Sequence, residues 1–119
     1  MNGTDIPKPS PLETTDAADC AQRLRVVADS RRFAILRHLA RKPRPVSDLA
    51  RAVGIERSLL SHHLRILREA GLVSTERNGK TIVYSLVPGL TRGPAGGGAP
   101  DRLEFGCCSL HFDRKEDWS

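Results

Sequence analysis

The segment from Ser58 to Arg68 constrains the fold of this chain more than any other. It reads SLLSHHLRILR, and on a helix of 3.6 residues per turn its leucines separate from its polar residues. One face holds Leu60, His63, Leu64 and Leu67, and the opposite face holds Arg57, Ser58, Ser61, His62, Arg65 and Arg68. The first face therefore packs against a core, with His63 as a packing residue, and the second is basic and rich in hydrogen-bond donors.

The residues before this segment predict a second, shorter helix. Val46–Val53 has helical periodicity, Ser47 is placed to cap it, and Gly54 permits a tight turn into the next helix. Two helices joined in this way form a helix-turn-helix, whose second helix is the one that enters a major groove of DNA.

A β-hairpin is predicted after the helix stops at Ala70-Gly71-Leu72. Asn78-Gly79 is a typical two-residue type I′ turn between alternating strands. This turn predicts three cross-strand pairs, which are Arg77 with Lys80, Thr75 with Ile82, and Val73 with Tyr84. Arg77 and Lys80 would then lie at the tip of a wing that contacts phosphates or a minor groove.

Four stretches between residues 20 and 88 carry a family resemblance. They are Val27–Arg37, Val46–Ala50, Ser61–Val73 and Tyr84–Leu86. Together they closely resemble the ArsR/SmtB family of winged-helix repressors. The resemblance implies a mainly α fold with a β-hairpin wing (α+β), a winged helix-turn-helix that forms a homodimer. It also implies a bacterial repressor that binds a palindromic operator and is released by a metal ion, a metalloid or a thiol oxidant.

The distribution of charge favours double-stranded operator DNA as the partner. Residues 22–92 hold 15 Lys or Arg and 5 Asp or Glu, although the whole chain of 119 residues carries only +5. From the exposed helix face and the family motif, we expect Ser58, Ser61, His62 and Arg65 at base edges or phosphates. Phosphate contacts are expected from Arg57, Arg68, Arg77 and Lys80. A glycine-rich phosphate loop and paired carboxylates are both missing from the sequence, so an enzyme is not expected.

Apolar runs in this sequence are shorter than a transmembrane helix, and residues 1–12 lack the apolar centre of a signal peptide. We therefore expect a cytoplasmic protein with no membrane partner. In that reducing compartment the three cysteines are not expected to form structural disulfides. Core packing, metal binding and redox chemistry remain as their roles.

Composition divides the chain into four parts. These are a disordered arm (1–15), the winged helix-turn-helix (16–88), a Gly/Pro-rich linker (89–101) and a cysteine-containing segment (102–119) that acts as a sensor or dimer contact. The first helix is predicted over residues 16–29, and Ser30 is expected to cap the second. The apolar stripe of the first helix comprises Ala17, Cys20, Ala21, Leu24, Val27 and Ala28.

The linker stands where many members of the family carry a long final helix that pairs across the dimer. The first helix lies at the dimer interface in the family. It and the terminal segment are therefore the natural substitutes as dimer contacts.

The usual sensor sites of the family are absent. Residues 44–49 lack the Cys-x-Cys found in many members, and the ligand-bearing final helix is missing. The remaining thiols are Cys20, Cys107 and Cys108, and soft thiolates suit arsenite, antimonite or a soft divalent metal ion as inducer. In a straight strand, Cys107 and Cys108 point to opposite faces, unless Gly106 permits a turn. We predict that the cysteine-containing segment, called the tail below, folds over the first helix of its own or of the other subunit. There Cys107 and Cys108 would close a three-sulfur site with Cys20.

Several alternatives stay open from the sequence. Cys20 is also a good small core residue. Cys107, Cys108 and His111, with Asp113 or water, have adequate ligands for zinc but non-standard spacing. A disulfide between Cys20 and a tail cysteine would make the protein a repressor that responds to an oxidant or persulfide. A winged-helix interaction module with no small-molecule signal is the third function class.

Overall fold

The computed structural model describes residues 17–93, 97, 100 and 102–112. The arm predicted for residues 1–15 lies outside these ranges. The helices are α1 (Ala17–Val27), α2 (Ser30–Arg41), α3 (Val46–Val53) and α4 (Arg57–Glu69). The strands are β1 (Arg44–Pro45), β2 (Val73–Asn78), β3 (Thr81–Leu86), β4 (Thr91–Arg92), β5 (Arg102–Glu104) and β6 (Ser109–His111).

Helices α3 and α4 form the predicted helix-turn-helix. Gly54 takes a left-handed conformation at φ 79°, and its N–H donates to the carbonyl of Ala50 at 2.8 Å. The prediction that Ser47 caps α3 is wrong, because α3 begins at Val46 and Ser47 lies inside its first turn. The prediction for Ser30 is wrong in the same way. Asp29 caps α2, and its carboxylate accepts from the backbone N–H groups of Arg31 and Arg32.

The core lies where α2, α3 and α4 meet and continues under the wing. The inward face of α4 is as predicted, because Leu60, Leu64, Leu67 and His63 are all buried. Their neighbours in one cluster are Ile35, Leu36, Leu39, Leu49, Leu72 and Val73. This aliphatic cluster fixes the position of α4, whose other face remains in solvent.

The wing is a three-stranded antiparallel sheet with strand order β1-β3-β2. Its register differs from the prediction, since Arg77 pairs with Ile82 and Asn78 with Thr81. The turn is therefore Gly79-Lys80, and Gly79 has φ 66°, whereas Asn78 has no positive φ. A type I′ turn at Asn78-Gly79 needs positive φ at both residues, but a turn with glycine first needs it only there. The register shift is two residues in total, so Val73, Thr75, Ile82 and Tyr84 still share one face of the sheet, as the predicted pairs require.

Residues 90–93 and 102–112 fold back onto the domain instead of extending away from it. A second sheet has the order β4-β5-β6, and its first strand lies in the segment interpreted as a linker. Leu90, Leu103 and Phe105 are fully buried and belong to the main cluster. Farther along, the ring of Phe112 packs edge-on against Phe33 of α2 at 5.8 Å between centroids. The described residues of the tail, 102–112, are thus part of the fold.

The inward face of α1 agrees with the predicted apolar stripe only at Cys20 and Val27. Its buried residues are Cys20, Arg23, Val26 and Val27, whereas Leu24 is 37% exposed. Arg23 reaches the tail, where its Nη2 donates to the carbonyl of Phe105 at 2.9 Å. The face of α1 that the tail covers therefore includes a charged residue. Among the described residues, none of the helices has the length and apolar character needed to cross a membrane.

Candidate functional site

The outward face of α4 and the adjacent wing form a basic, solvent-exposed surface. The structure exposes all six residues that the sequence assigned to this face: Arg57, Ser58, Ser61, His62, Arg65 and Arg68. Arg77 and Lys80 are exposed at the end of the wing, with Lys80 in the turn. One hydroxyl is already engaged, because Ser58 Oγ donates to Glu56 Oε1 at 2.6 Å. The surface presents the guanidinium, hydroxyl and imidazole groups suited to phosphates and base edges.

An open cleft of about 370 Å³ separates α4 from β3 on this surface. Its lining residues are Ser58, Ser61, His62, Leu64, Arg65, Arg68 and Tyr84. Tyr84 was predicted only as the cross-strand partner of Val73, and its place beside the arginines of α4 was not expected. The hairpin pattern gave no signal for this, because the contact depends on how β3 packs against α4.

A partly buried polar junction connects α1, α2 and α4 behind this surface. Arg32 Nε donates to the carbonyl of Val26 at 2.6 Å, and its Nη1 lies 3.2 Å from Nδ1 of His63. Because a guanidinium only donates, Nδ1 must accept and the proton of neutral His63 is on Nε2. Nε2 is buried with no hydrogen-bond partner within the described ranges. His63 thus ties α4 to Arg32 as well as filling the core.

We expect the free energy of unfolding to decrease as the pH falls from about 7.5 to about 5.5. Burial lowers the pKa of His63 from its ordinary 6.5; the Asp29 carboxylate opposes this shift, and Arg32 is among the nearby cations that add to it. Burial likewise lowers the pKa of His38, with help from the charges of Arg44 and Arg41. Below about pH 6.5 the unfolded chain therefore binds more protons than the folded protein, so acid favours unfolding.

Urea unfolding at several pH values tests this expectation. His63→Gln should show a shallower pH dependence than the wild type, with the remainder due to His38. The matched control is His111→Gln, because His111 is exposed on β6. An unchanged pH dependence in His63→Gln would contradict the assignment.

Three sulfur atoms meet where the tail crosses α1. Gly106 has φ 87°, and the N–H of Phe105 donates to the carbonyl of Cys108 at 2.9 Å, so the chain turns between β5 and β6. This turn brings Cys107 and Cys108 together, with 3.8 Å between their Sγ atoms. Cys20 Sγ lies 3.6 Å from Cys108 Sγ and forms a disulfide with Cys107 of the same subunit. A structural disulfide was not expected from the sequence, but a disulfide between Cys20 and a tail cysteine was one of the alternatives left open.

The sequence-predicted ligands are not all brought together. The three sulfurs lie within 4.8 Å of one another, and Cys20 is buried. His111 is exposed on β6, opposite Arg102, and does not belong to this group. Asp113, the other ligand considered for zinc, lies outside the described residues.

Arg23 is the residue of this region that the sequence analysis missed. It is 5% exposed, and its Nε has no hydrogen-bond partner among the described residues. Its spacing gave a signal, since Cys20, Arg23 and Val27 follow an i, i+3, i+7 pattern on one helix face. The charge concealed it, because arginine is rarely buried without a partner.

Comparisons with known proteins agree with this architecture. Residues 29–75 match the model of the family described as bacterial regulatory protein, arsR family. The HTH-type transcriptional regulator NmtR of Mycobacterium tuberculosis is 49% identical over 77 residues, which are 65% of this chain and 64% of NmtR. The match thus spans less than two thirds of NmtR.

Two solved structures are similar in fold and sequence. NolR from Sinorhizobium fredii has a TM-score of 0.59 and 37% identity, covering 71% of this chain and 84% of NolR. The homodimeric winged helix-turn-helix DNA-binding domain Mb0332 of Mycobacterium bovis has a TM-score of 0.55 and 32% identity, covering 58% and 64%. The helix-turn-helix, the β-hairpin wing and the basic outward face of α4 agree with these matches. The chain belongs to the ArsR/SmtB family of winged helix-turn-helix transcriptional regulators.

Proposed function

We propose that this protein is a homodimeric repressor that binds double-stranded operator DNA and leaves it when its thiolates bind arsenite, antimonite or a soft divalent metal ion. The DNA-binding residues are those of α4 and the wing given above. The ligands are Cys20, Cys107 and Cys108. The observation that carries the sensing proposal is the convergence of three sulfurs from two distant parts of the chain.

The distances between the sulfurs suit a shared ion. Thiolates that bind one zinc-sized ion at about 2.3 Å in tetrahedral directions are about 3.8 Å apart. The two non-bonded sulfur pairs in the cluster are 3.6 and 3.8 Å apart. Cys20 and Cys107 bind an ion only as free thiolates, so ion binding and the disulfide exclude each other.

The proposed dimer rests on α1 and on the relative from Mycobacterium bovis, which is homodimeric. Leu24 is exposed on the side of α1 that the tail does not cover. A two-fold dimer presents two copies of α4 to two half-sites, which fits a palindromic operator.

The polar junction gives a physical connection between the thiols and DNA. Cys20 and Val26 are on α1, and Arg32 joins the Val26 carbonyl to His63 on α4. A ligand that moves α1 relative to α2 therefore acts on α4, the recognition helix. By linkage, a ligand that binds the free protein more tightly than the DNA complex weakens DNA binding by the same factor.

A thiol-redox repressor is the second candidate, favoured by the disulfide between Cys20 and Cys107. Hydrogen peroxide would take two electrons from the two thiols, forming the S–S bond and two molecules of water. A persulfide would transfer its outer sulfur to one cysteine and leave as a thiol; attack by the second cysteine would then form the disulfide and release hydrogen sulfide. In this case the oxidant alone releases the operator, and metal binding is weak.

The test is release of operator DNA by the reduced, full-length protein under anaerobic conditions. We expect arsenite or cadmium to weaken DNA binding by roughly 5- to 150-fold, the usual range of allosteric coupling. The Cys107→Ser/Cys108→Ser double variant should bind DNA normally and fail to respond. His111→Ala is the matched control from the same tail, and it should respond as the wild type does.

Three other outcomes separate the alternatives. Release only by peroxide or persulfide would identify the redox repressor. A response to zinc that His111→Ala abolishes would restore the site with His111 as a ligand. No release by any of these agents would leave a DNA-binding interaction module without a small-molecule signal.

A further inference from the structure

Arg23 is a buried cation at the junction between α1 and the tail. Only 5% of it is exposed, and one hydrogen bond, from Nη2 to the Phe105 carbonyl, holds the guanidinium. Its Nε, equally buried, has no partner within the described ranges. No carboxylate in that part of the chain forms an ion pair with Arg23.

A buried charge without a counter-charge is strongly unfavourable, and an arginine stays charged at physiological pH. Once deprotonated, the thiols of the three-sulfur cluster are candidates for this counter-charge. Cys20 precedes Arg23 by three residues on one helix, a spacing that brings their Cβ atoms to roughly 5–6 Å. Phe105, which accepts the hydrogen bond of Arg23, is two residues before Cys107. The guanidinium thus lies at the junction where the thiols meet.

We infer that Arg23 is the counter-cation of the three-sulfur site and makes it selective for soft divalent cations over trivalent arsenic and antimony. This inference rests on the proposed function and names the ligand class of the same site. A divalent ion displaces three thiol protons and leaves a complex of charge −1, which Arg23 neutralises. Arsenous acid and three thiols give a neutral complex and three waters, which leaves the charge of Arg23 uncompensated.

Direct binding to the reduced, full-length protein tests this selectivity without DNA. Cadmium and arsenite are titrated separately and in competition, and the thiolate charge-transfer absorption is followed. Arg23→Gln keeps a donor for the Phe105 carbonyl but removes the charge. We expect it to weaken cadmium binding by at least about tenfold and to change arsenite affinity by less than about twofold.

Two further variants complete the design. Arg23→Lys keeps the charge and should retain most of the preference for cadmium. Arg25→Gln is the matched control, because Arg25 is exposed on the same helix and bonds to Gln22 at 2.7 Å. It should leave both affinities unchanged.

The outcomes distinguish this inference from the proposed function. An equal loss of cadmium and arsenite binding in Arg23→Gln would reduce Arg23 to a structural role and overturn the inference. If Arg23→Gln does not fold, the competition on the wild type decides, because arsenite that displaces equimolar cadmium also overturns it. A wild type that binds neither ligand overturns the proposed function itself.

Discussion

Phe105→Ala should lower the free energy of unfolding by about 3–5 kcal/mol, the usual result of truncating a fully buried phenylalanine. Phe105 is completely buried and belongs to the same cluster as Val26 and Val27 of α1. Its backbone also accepts from Arg23 and donates to Cys108, so the cavity left by the missing ring should loosen the turn that carries the tail thiols. Urea unfolding of the reduced protein at one fixed concentration measures the effect.

Phe112→Ala is the matched control, since it removes the same side chain from the same tail. Phe112 is only half-buried and packs edge-on against Phe33, with Arg37 over its ring at 5.3 Å. Its truncation should cost clearly less than that of Phe105. Equal losses for the two variants would contradict the docking of the tail in the core.

Operator affinity should fall steeply with salt, with a slope of log affinity against log salt of about −7 for a dimer. Four basic residues per subunit are assigned to phosphates: Arg57, Arg68, Arg77 and Lys80. Two subunits then neutralise about eight phosphates, and each contributes about −0.9 to the slope. Between about 50 and 200 mM salt, the affinity should drop by roughly 10⁴. Fluorescence anisotropy with labelled operator DNA gives the slope directly.

A pair of variants separates the two kinds of contact. Lys80→Ala should make the slope shallower by about one unit per subunit and weaken all DNA sequences alike. Arg65→Ala should cost about 1–3 kcal/mol on the operator and less on random DNA, because it is assigned to base edges. A nearly flat salt dependence in the wild type would rule out this binding surface.

The recognition helix α4 was predictable because its pattern of leucines is local and repeated. Leu60, Leu64 and Leu67 recur at helical spacing over about two turns, so the pattern alone divides α4 into a buried and an exposed face. The side chains of strand β2 alternate between the two faces of the sheet, and a shift of two residues preserves this alternation. The faces of the wing were therefore predicted correctly, although the turn was displaced. Only the φ values of Asn78 and Gly79 distinguish the two possible turns, and the sequence does not determine them.

The tail was less predictable because its order comes from distant contacts. Strands of two or three residues are too short for a periodic pattern, and Leu90 stands alone in a run of glycine and proline. Its burial depends on α1 and the rest of the core. The convergence of Cys20 with Cys107 and Cys108 was a hypothesis from thiol chemistry and the flexibility of Gly106. The burial of Arg23 was hidden because a charged side chain reads as a solvent-facing one.

The sequence separation of 87 residues between Cys20 and Cys107 has a topological consequence. A bond between these residues, direct or through an ion, closes a ring that contains the helix-turn-helix and the wing. The unfolded chain then loses the conformations in which its two ends are far apart, and this loss of entropy grows slowly with the length of the loop. A ligand bound by Cys20 and Cys107 would therefore stabilise all the elements between these two residues in the chain, including those that it does not contact.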